Sequence, residues 1–167
     1  MKTKKIVTGA VIAALYTALC LALPALSYGT VQVRFSEALT LLPVLLPGGL
    51  MGVTLGCFLT NLVGVFLGTN ILGALDVLFG TLATLLAAIW TSKLKNRWLA
   101  PLPPVVCNAV IVGAEIAYFA TLDGAAFWPA YALNAFTVGL GEAIACFVLG
   151  TLLLRALDKV PALRRAV

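Results

Sequence analysis

Long apolar runs, separated by short polar or proline- and glycine-containing stretches, dominate the sequence. A bilayer core of about 30 Å takes roughly 20 helical residues, and most of these runs have about that length. Prolines and paired glycines end helices, so the longest run divides at Pro47-Gly48-Gly49 into a short helix and a longer one. The pattern predicts one transmembrane domain over residues 1–167, with spans at about 6–26, 36–46, 50–67, 71–91, 104–121 and 128–157.

The composition excludes a water-soluble fold. Of the 167 residues, 62% are apolar and 10% are charged, and the mean hydropathy is +1.10. Soluble domains are roughly 45 to 50% apolar and about 25% charged. Too few polar side chains are present to cover a domain of this size in water. We therefore expect an all-α integral membrane protein, a bundle of six transmembrane helices. The first run is longer than the core of a signal peptide, so we expect it to remain as a membrane helix.

Basic residues set the expected orientation. They concentrate at the amino terminus, in the loop after the fourth span and in the carboxyl-terminal tail. The three groups are Lys2, Lys4 and Lys5; Lys93, Lys95 and Arg97; and Arg155, Lys159, Arg164 and Arg165. Cationic loops face the cytoplasm, and six spans put all three groups there, whereas five spans would leave two outside. Both termini are therefore expected in the cytoplasm, and Arg34 is then the cation on the outer side.

The sequence lacks several residue types and motifs that enzymes commonly use. It contains no histidine, which removes the usual base of a hydrolytic triad and the commonest metal ligand. It also has no G-x-x-x-x-G-K-[ST] loop for ATP. The four cysteines lie far apart in apolar stretches, and we interpret them as small buried apolar residues. We expect a protein that is not an enzyme and that binds no metal or cofactor itself.

Polar side chains inside the predicted spans are costly in a membrane, so each is a candidate binding residue. Interhelical hydrogen bonds are the alternative role for the amides. The spans contain no lysine or arginine to pair with Asp76, Glu115 and Glu142, so either burial protonates them or a ligand with donors or a cation meets them. Glu37 could instead pair with Arg34 or act as a first-turn anion. The candidate binding residues are Arg34, Glu37, Asn61, Asp76, Glu115, Trp128, Asn134 and Glu142.

The first span carries small residues at every fourth position, and these form an alanine stripe, Ala10, Ala14, Ala18 and Ala22. Small residues at this spacing allow another helix backbone to approach closely. The stripe therefore predicts either close packing inside the bundle or a docking surface for another membrane protein.

Four segments together resemble the QueT transporter family: the run Val31-Gln32-Val33-Arg34-Phe35-Ser36-Glu37-Ala38-Leu39-Thr40 followed by Leu42-Pro43, and the stretches at 56–62, 75–85 and 139–143. Members of this family are membrane-embedded, substrate-capturing S components of energy-coupling factor (ECF) vitamin transporters. The resemblance covers nearly the whole chain, and its most specific part is the string Gln-x-Arg-x-Ser-Glu-Ala-Leu-Thr.

The resemblance implies a six-helix fold in a bacterial-type cell membrane and an outward-facing pocket under the first loop. It implies a queuosine precursor as ligand, expected to be pre-queuosine-1, which is 7-aminomethyl-7-deazaguanine. It also implies a transmembrane T component and two cytoplasmic ATPases as partners, and the ATPases use the ATP. The alanine stripe is then the docking surface for the T component. No nucleic acid is expected as a partner. The alternative function is a stand-alone secondary transporter in which Asp76, Glu115 or Glu142 binds a proton or sodium ion.

Overall fold

The computed structural model describes residues 2–22 and 34–160, and within these ranges it contains helices and no strands. We number the main helices in chain order. The first is Lys2–Ala22, the second Phe35–Val44, the third Gly49–Phe66, the fourth Ala74–Lys93, the fifth Leu102–Leu122 and the sixth Phe127–Asp158. All except the second are long and apolar enough to cross a membrane. The expectation of an all-α membrane protein is confirmed. The predicted ends of the first span and of the basic tail, residues 23–26 and 164–165, lie outside the described residues.

The second helix lies in the middle of the bundle. It is a 3₁₀ helix with Pro43 inside it, and every residue from Ser36 to Leu42 is buried. A mostly apolar helix is stable only when it is surrounded, and this one contacts the first, third, fourth and sixth helices. Its 10 residues span about 20 Å at the 3₁₀ rise, which is less than a bilayer core. Of the six predicted spans, this one is therefore too short to cross alone.

Among the helix boundaries that differ from the predicted ones, two have a local explanation. The fifth helix begins at Leu102 rather than at 104 because Pro103 and Pro104 lie in its first turn, where a missing N–H costs nothing. The fourth begins at Ala74 rather than at 71 because Gly73 has φ +64° and ψ −143°, a non-helical conformation that glycine adopts readily.

The contacts at the helix ends group the basic residues at one end of the bundle. The backbone of Lys5 lies against Gly48, just before the third helix. The Arg97 side chain contacts Asp158 at the end of the sixth helix, and Leu46 and Leu157 pack against the same buried clusters. One end of the bundle therefore holds the lysines and arginines of the amino terminus, of the loop at 93–97 and of the end of the sixth helix. We call it the basic end. Arg34 lies towards the opposite end, beside the start of the fourth helix.

The first and third helices approach most closely along glycines of the third. A Cβ atom added at Gly52 would lie 2.7 Å from Ile12 Cβ and 2.8 Å from the Gly9 carbonyl oxygen. One added at Gly56 would lie 2.7 Å from Tyr16 Cβ. These glycines are spaced four residues apart on one helix face, the spacing that brings membrane helices into backbone contact.

We expect Gly52→Val to destabilise the protein by about 1 to 3 kcal/mol, the usual cost of overpacking a tight contact. Thermal unfolding of the purified protein in detergent measures this effect. Ala18→Val is the matched control, because Ala18 is exposed on the first helix and a larger side chain there meets no neighbour in the bundle. Equal losses of stability in the two variants would show that this helix contact is not the tight one.

Candidate functional site

The first polar cluster surrounds Asp76 in the first turn of the fourth helix. Arg34 Nη2 lies 3.2 Å from Asp76 Oδ2, and Asn70 Nδ2 donates to the same oxygen at 2.8 Å. All three side chains are buried. The position of the carboxylate at a helix N-terminus adds a favourable interaction with the helix dipole. The cluster is thus a buried ion pair supported by an amide.

The expectation that Asp76 has no cation partner is wrong. Arg34 directly precedes the second helix, and that helix is buried inside the bundle rather than placed at its rim. The guanidinium is thereby carried into the interior, next to the start of the fourth helix. Once formed, the pair is favoured there because a buried carboxylate without a cation would be far more costly.

Asn61 extends this cluster from the third helix. Its Nδ2 donates to the backbone oxygen of Asp76 at 2.8 Å, which confirms the interhelical hydrogen bond considered for this amide. Asn61 Oδ1 and Asp76 Oδ1 are both buried and receive no hydrogen bond from the described residues. Gly80 leaves the space that they need, since a Cβ there would lie 2.1 Å from Asp76 Oδ1.

Glu115 faces the same region from the fifth helix. It is only 6% exposed, and the charges of Asp76 and Arg34 act on it. Within the part of the chain that the structure describes, neither of its carboxyl oxygens has a hydrogen-bond partner. Glu115 lines an open groove of about 630 Å³ between the fourth and fifth helices, whose other walls are apolar and include Phe79 and Tyr118, both exposed on the outside of the bundle. A buried polar group without a partner costs free energy, so this carboxyl is available to a ligand.

A second polar cluster lies around Glu37 on the second helix. The Tyr16 hydroxyl donates to Glu37 Oε1, and Arg34 acts on the same carboxyl electrostatically. The Cys146 thiol lies 3.5 Å from the Glu37 backbone oxygen and 3.8 Å from Glu142 Oε2. The Cys146 thiol therefore contacts both the backbone of Glu37 and the side chain of Glu142. Glu37 Oε2 has no hydrogen-bond partner among residues 2–22 and 34–160.

The sixth helix changes its geometry at this cluster. Residues Ile144–Gly150 form a π-helical segment, and such segments occur often at functional sites. Gly150 lies against the second helix, since a Cβ there would be 2.9 Å from Leu41 Cδ2. The wider turn and the glycine together let the sixth helix pack closely on the second.

The structure brings six of the eight predicted binding residues into these two clusters: Arg34, Asn61, Asp76 and Glu115 in the first, and Glu37 and Glu142 in the second. It does not bring in Trp128 or Asn134. Trp128 is 75% exposed, and Asn134 Nδ2 donates within its own helix to the Ala130 carbonyl at 2.8 Å.

Sequence reasoning missed three members of the clusters, Tyr16, Asn70 and Cys146. Cys146 follows Glu142 by four residues, a spacing that places both on one helix face, so its polar role was detectable. Tyr16 carries no such signal because its partner Glu37 lies on another helix, and Asn70 carries none because it lies before the fourth helix, six residues from Asp76 and outside any helical spacing. Cys20, Cys57 and Cys146 are buried and Cys107 is half-buried, and none of the four is in a disulfide.

All four residues of the alanine stripe are exposed in the isolated chain. The first helix packs on its neighbours through another face, which includes Gly9, Ile12, Ala13 and Tyr16. The stripe therefore does not pack closely inside the bundle, which was one of the two roles considered for it. The glycines of the third helix make that close contact instead.

Five apolar helices of spanning length and a buried set of polar side chains with free acceptor oxygens define a membrane protein of the solute-transport class. The model of the QueT transporter family matches residues 6–159. The chain therefore belongs to the QueT transporter family, and it is a transport protein rather than an enzyme. No curated protein and no solved structure matches the chain.

Proposed function

We propose that this chain is the S component of an ECF importer and that it captures pre-queuosine-1 or a closely related queuosine precursor. The observation that supports this most directly is the Glu115 carboxyl, which is buried without a hydrogen-bond partner in the described structure and lies at an open groove between the fourth and fifth helices. Family membership supports the transport role.

The chemistry of the ligand matches the free acceptors of the first cluster. A deazaguanine ring presents adjacent ring and exocyclic N–H donors, and one carboxylate accepts both in a bidentate arrangement. Glu115 has both oxygens available for this edge. Asn61 Oδ1 and Asp76 Oδ1 remain as acceptors for the aminomethyl cation. Asp76 Oδ2 is already occupied by Arg34 and Asn70.

Changing Glu115 to Gln should weaken ligand binding about 10- to 150-fold, because a charge-assisted hydrogen bond contributes roughly 1.5 to 3 kcal/mol. If Glu115 accepts from the ring edge, binding of guanine should weaken by a similar factor, since guanine shares that edge. Calorimetry on the purified chain with both compounds gives both affinities.

Asp123→Asn is the matched control for charge, because Asp123 is exposed at the end of the same helix, and its affinities should equal those of the parent. Unchanged affinity in the Glu115 variant would remove Glu115 from the site. If the parent itself binds neither pre-queuosine-1 nor guanine, the proposed ligand class is wrong.

The proposal includes the orientation and the partners. The chain crosses a bacterial cell membrane six times, with the short second helix and residues 45–48, which follow it, together forming one crossing, and both termini lie in the cytoplasm. Grouping of the basic residues at one end of the bundle supports this orientation. The chain binds no cofactor, and ATP is used by two ATPase subunits that act with the T component. The exposed alanine stripe is the surface for that T component.

Labelling of single cysteines from either side of the membrane tests the proposed orientation. In a background without the four native cysteines, Lys95→Cys should react with an impermeant thiol reagent only from the cytoplasmic side, and Ala125→Cys only from outside. Both positions are exposed, so their reactivity reports the side rather than burial. Labelling of Lys95→Cys in intact cells would overturn the six-crossing arrangement.

Transport by the purified chain alone separates this proposal from an ion-coupled secondary carrier. In proteoliposomes containing only this chain, we expect no uptake driven by a proton or sodium gradient. Gradient-driven uptake there would favour the secondary carrier, with Glu115 or Glu142 as the ion-binding carboxyl.

A further inference from the structure

At the basic end, the turn between the fourth and fifth helices is held against the end of the sixth helix. Arg97 Nη1 lies 2.5 Å from Asp158 Oδ1. The Arg155 guanidinium carbon lies 5.0 Å from the centre of the Trp98 ring, within the range of a cation–π interaction. These two contacts orient both guanidinium groups towards one place.

That place is a hollow of about 130 Å³ lined by both arginines, by the Asp158 carboxylate that pairs with Arg97 and by Thr151, with Trp98 and Leu154 among its other walls. Lys93, Lys95 and Lys159 are exposed nearby in the chain. Asp158 is the single acidic residue of this end among the described residues, and the five cations around it leave a net positive charge. The hollow is therefore suited to an anion.

The surface around the hollow is apolar and exposed. A water-soluble anion has no need of such a surface, whereas the acyl chains of a lipid do. Trp98 is 65% exposed and Leu99 is 43% exposed. Leu102 and Val106 follow on the fifth helix, and Leu152 lies three residues before Arg155 on the sixth, and all three are exposed. An apolar strip thus leads from the hollow along the outside of the bundle.

We propose that this hollow binds the headgroup of one anionic phospholipid, with its acyl chains along Leu102, Val106 and Leu152. Arg155 donates to the phosphate oxygens, and Arg97 does so through the N–H groups that do not face Asp158, because guanidinium groups bind phosphate through paired N–H donors. Trp98 lies at headgroup depth, where amphipathic rings are favoured. Basic pockets at helix ends on the cytoplasmic side are typical sites for such lipids.

Native mass spectrometry of the full-length protein in detergent tests this site. The protein is titrated with phosphatidylglycerol and, separately, with phosphatidylcholine of the same acyl chains. We expect one phosphatidylglycerol to be retained at concentrations at which phosphatidylcholine is not. Equal retention of the two lipids would overturn the proposal.

Arg155→Gln should reduce phosphatidylglycerol retention about tenfold, the effect of losing one charge-assisted hydrogen bond of about 1.5 kcal/mol. Trp98→Leu, which keeps an apolar side chain but removes the ring under Arg155, should also reduce it. Lys5→Gln makes the same change of charge at the same end, away from the hollow, and should leave retention within about twofold, as expected for an exposed charge.

Three outcomes would contradict the lipid site. Equal loss in the Lys5 and Arg155 variants would indicate attraction to the overall charge of this end. Displacement of the lipid by millimolar inorganic phosphate would indicate a site for free phosphate. Retention of phosphatidylglycerol by folded Arg155→Gln and Trp98→Leu proteins, checked by thermal unfolding, would show that the hollow is an interface for something else, such as an acidic protein surface.

Discussion

Arg34→Met should lower the free energy of unfolding by about 3 to 5 kcal/mol, the usual cost of removing one partner of a buried ion pair. The variant leaves the Asp76 carboxyl in the interior with Asn70 but without its cation. Arg34 also precedes the second helix, so the loss should loosen the central element of the bundle. Unfolding in detergent, followed by circular dichroism or intrinsic fluorescence, measures the change.

The double variant Arg34→Met with Asp76→Leu should regain most of this stability, because replacing both partners removes the uncompensated charge. Arg97→Met is the control in lipid-free detergent. Its ion pair with Asp158 is nearly half exposed, so its loss should cost at most about 1 kcal/mol. If Arg34→Met and Arg97→Met cost the same, the Arg34–Asp76 pair is not the buried contact described above.

Ala14→Trp should abolish most uptake in cells that contain the complete transporter while leaving ligand affinity unchanged. The alanine stripe is exposed and takes no part in internal packing, so the added ring lies outside the bundle. On the proposed docking surface it would hold the partner helix away, because close approach depends on small side chains. Uptake of labelled ligand and calorimetry on the isolated chain measure the two effects separately.

Leu86→Trp is the matched control for this prediction, since Leu86 is exposed on the fourth helix, away from the stripe. Its uptake should equal that of the parent. A parallel loss of affinity in Ala14→Trp would mean that the first helix shapes the ligand site. Normal uptake by Ala14→Trp would mean that the partner docks elsewhere.

Much of the candidate site could be named from the sequence because ionisable residues are rare in membrane spans. Asp76, Glu115 and Glu142 stand out in apolar runs whatever the bundle looks like. Their partners could not be named in the same way. Arg34 was assigned to an outer loop, and only the burial of the second helix brings it to Asp76.

The two small-residue patterns show the same limit. Alanines on the first helix and glycines on the third both have four-residue spacing, and spacing alone does not say which pattern is used inside the bundle. The glycines are the residues that contact the first helix, because that helix lies so close that a Cβ at Gly52 or Gly56 would collide with it. The alanines are left on the outside, where a partner could use them.

The apolar runs in the amino-acid sequence are enough to show that this chain is a helical membrane protein and roughly where its long helices lie. Bilayer thickness sets the length of an apolar run, and proline and glycine end helices through local sterics, so these features need no knowledge of the neighbours. The folded bundle is needed to show that the second helix is buried, that Tyr16 and Cys146 contact Glu37, and that the Glu115 carboxyl lies at a groove between two helices. Those features depend on contacts between distant segments, and packing of whole helix faces decides them.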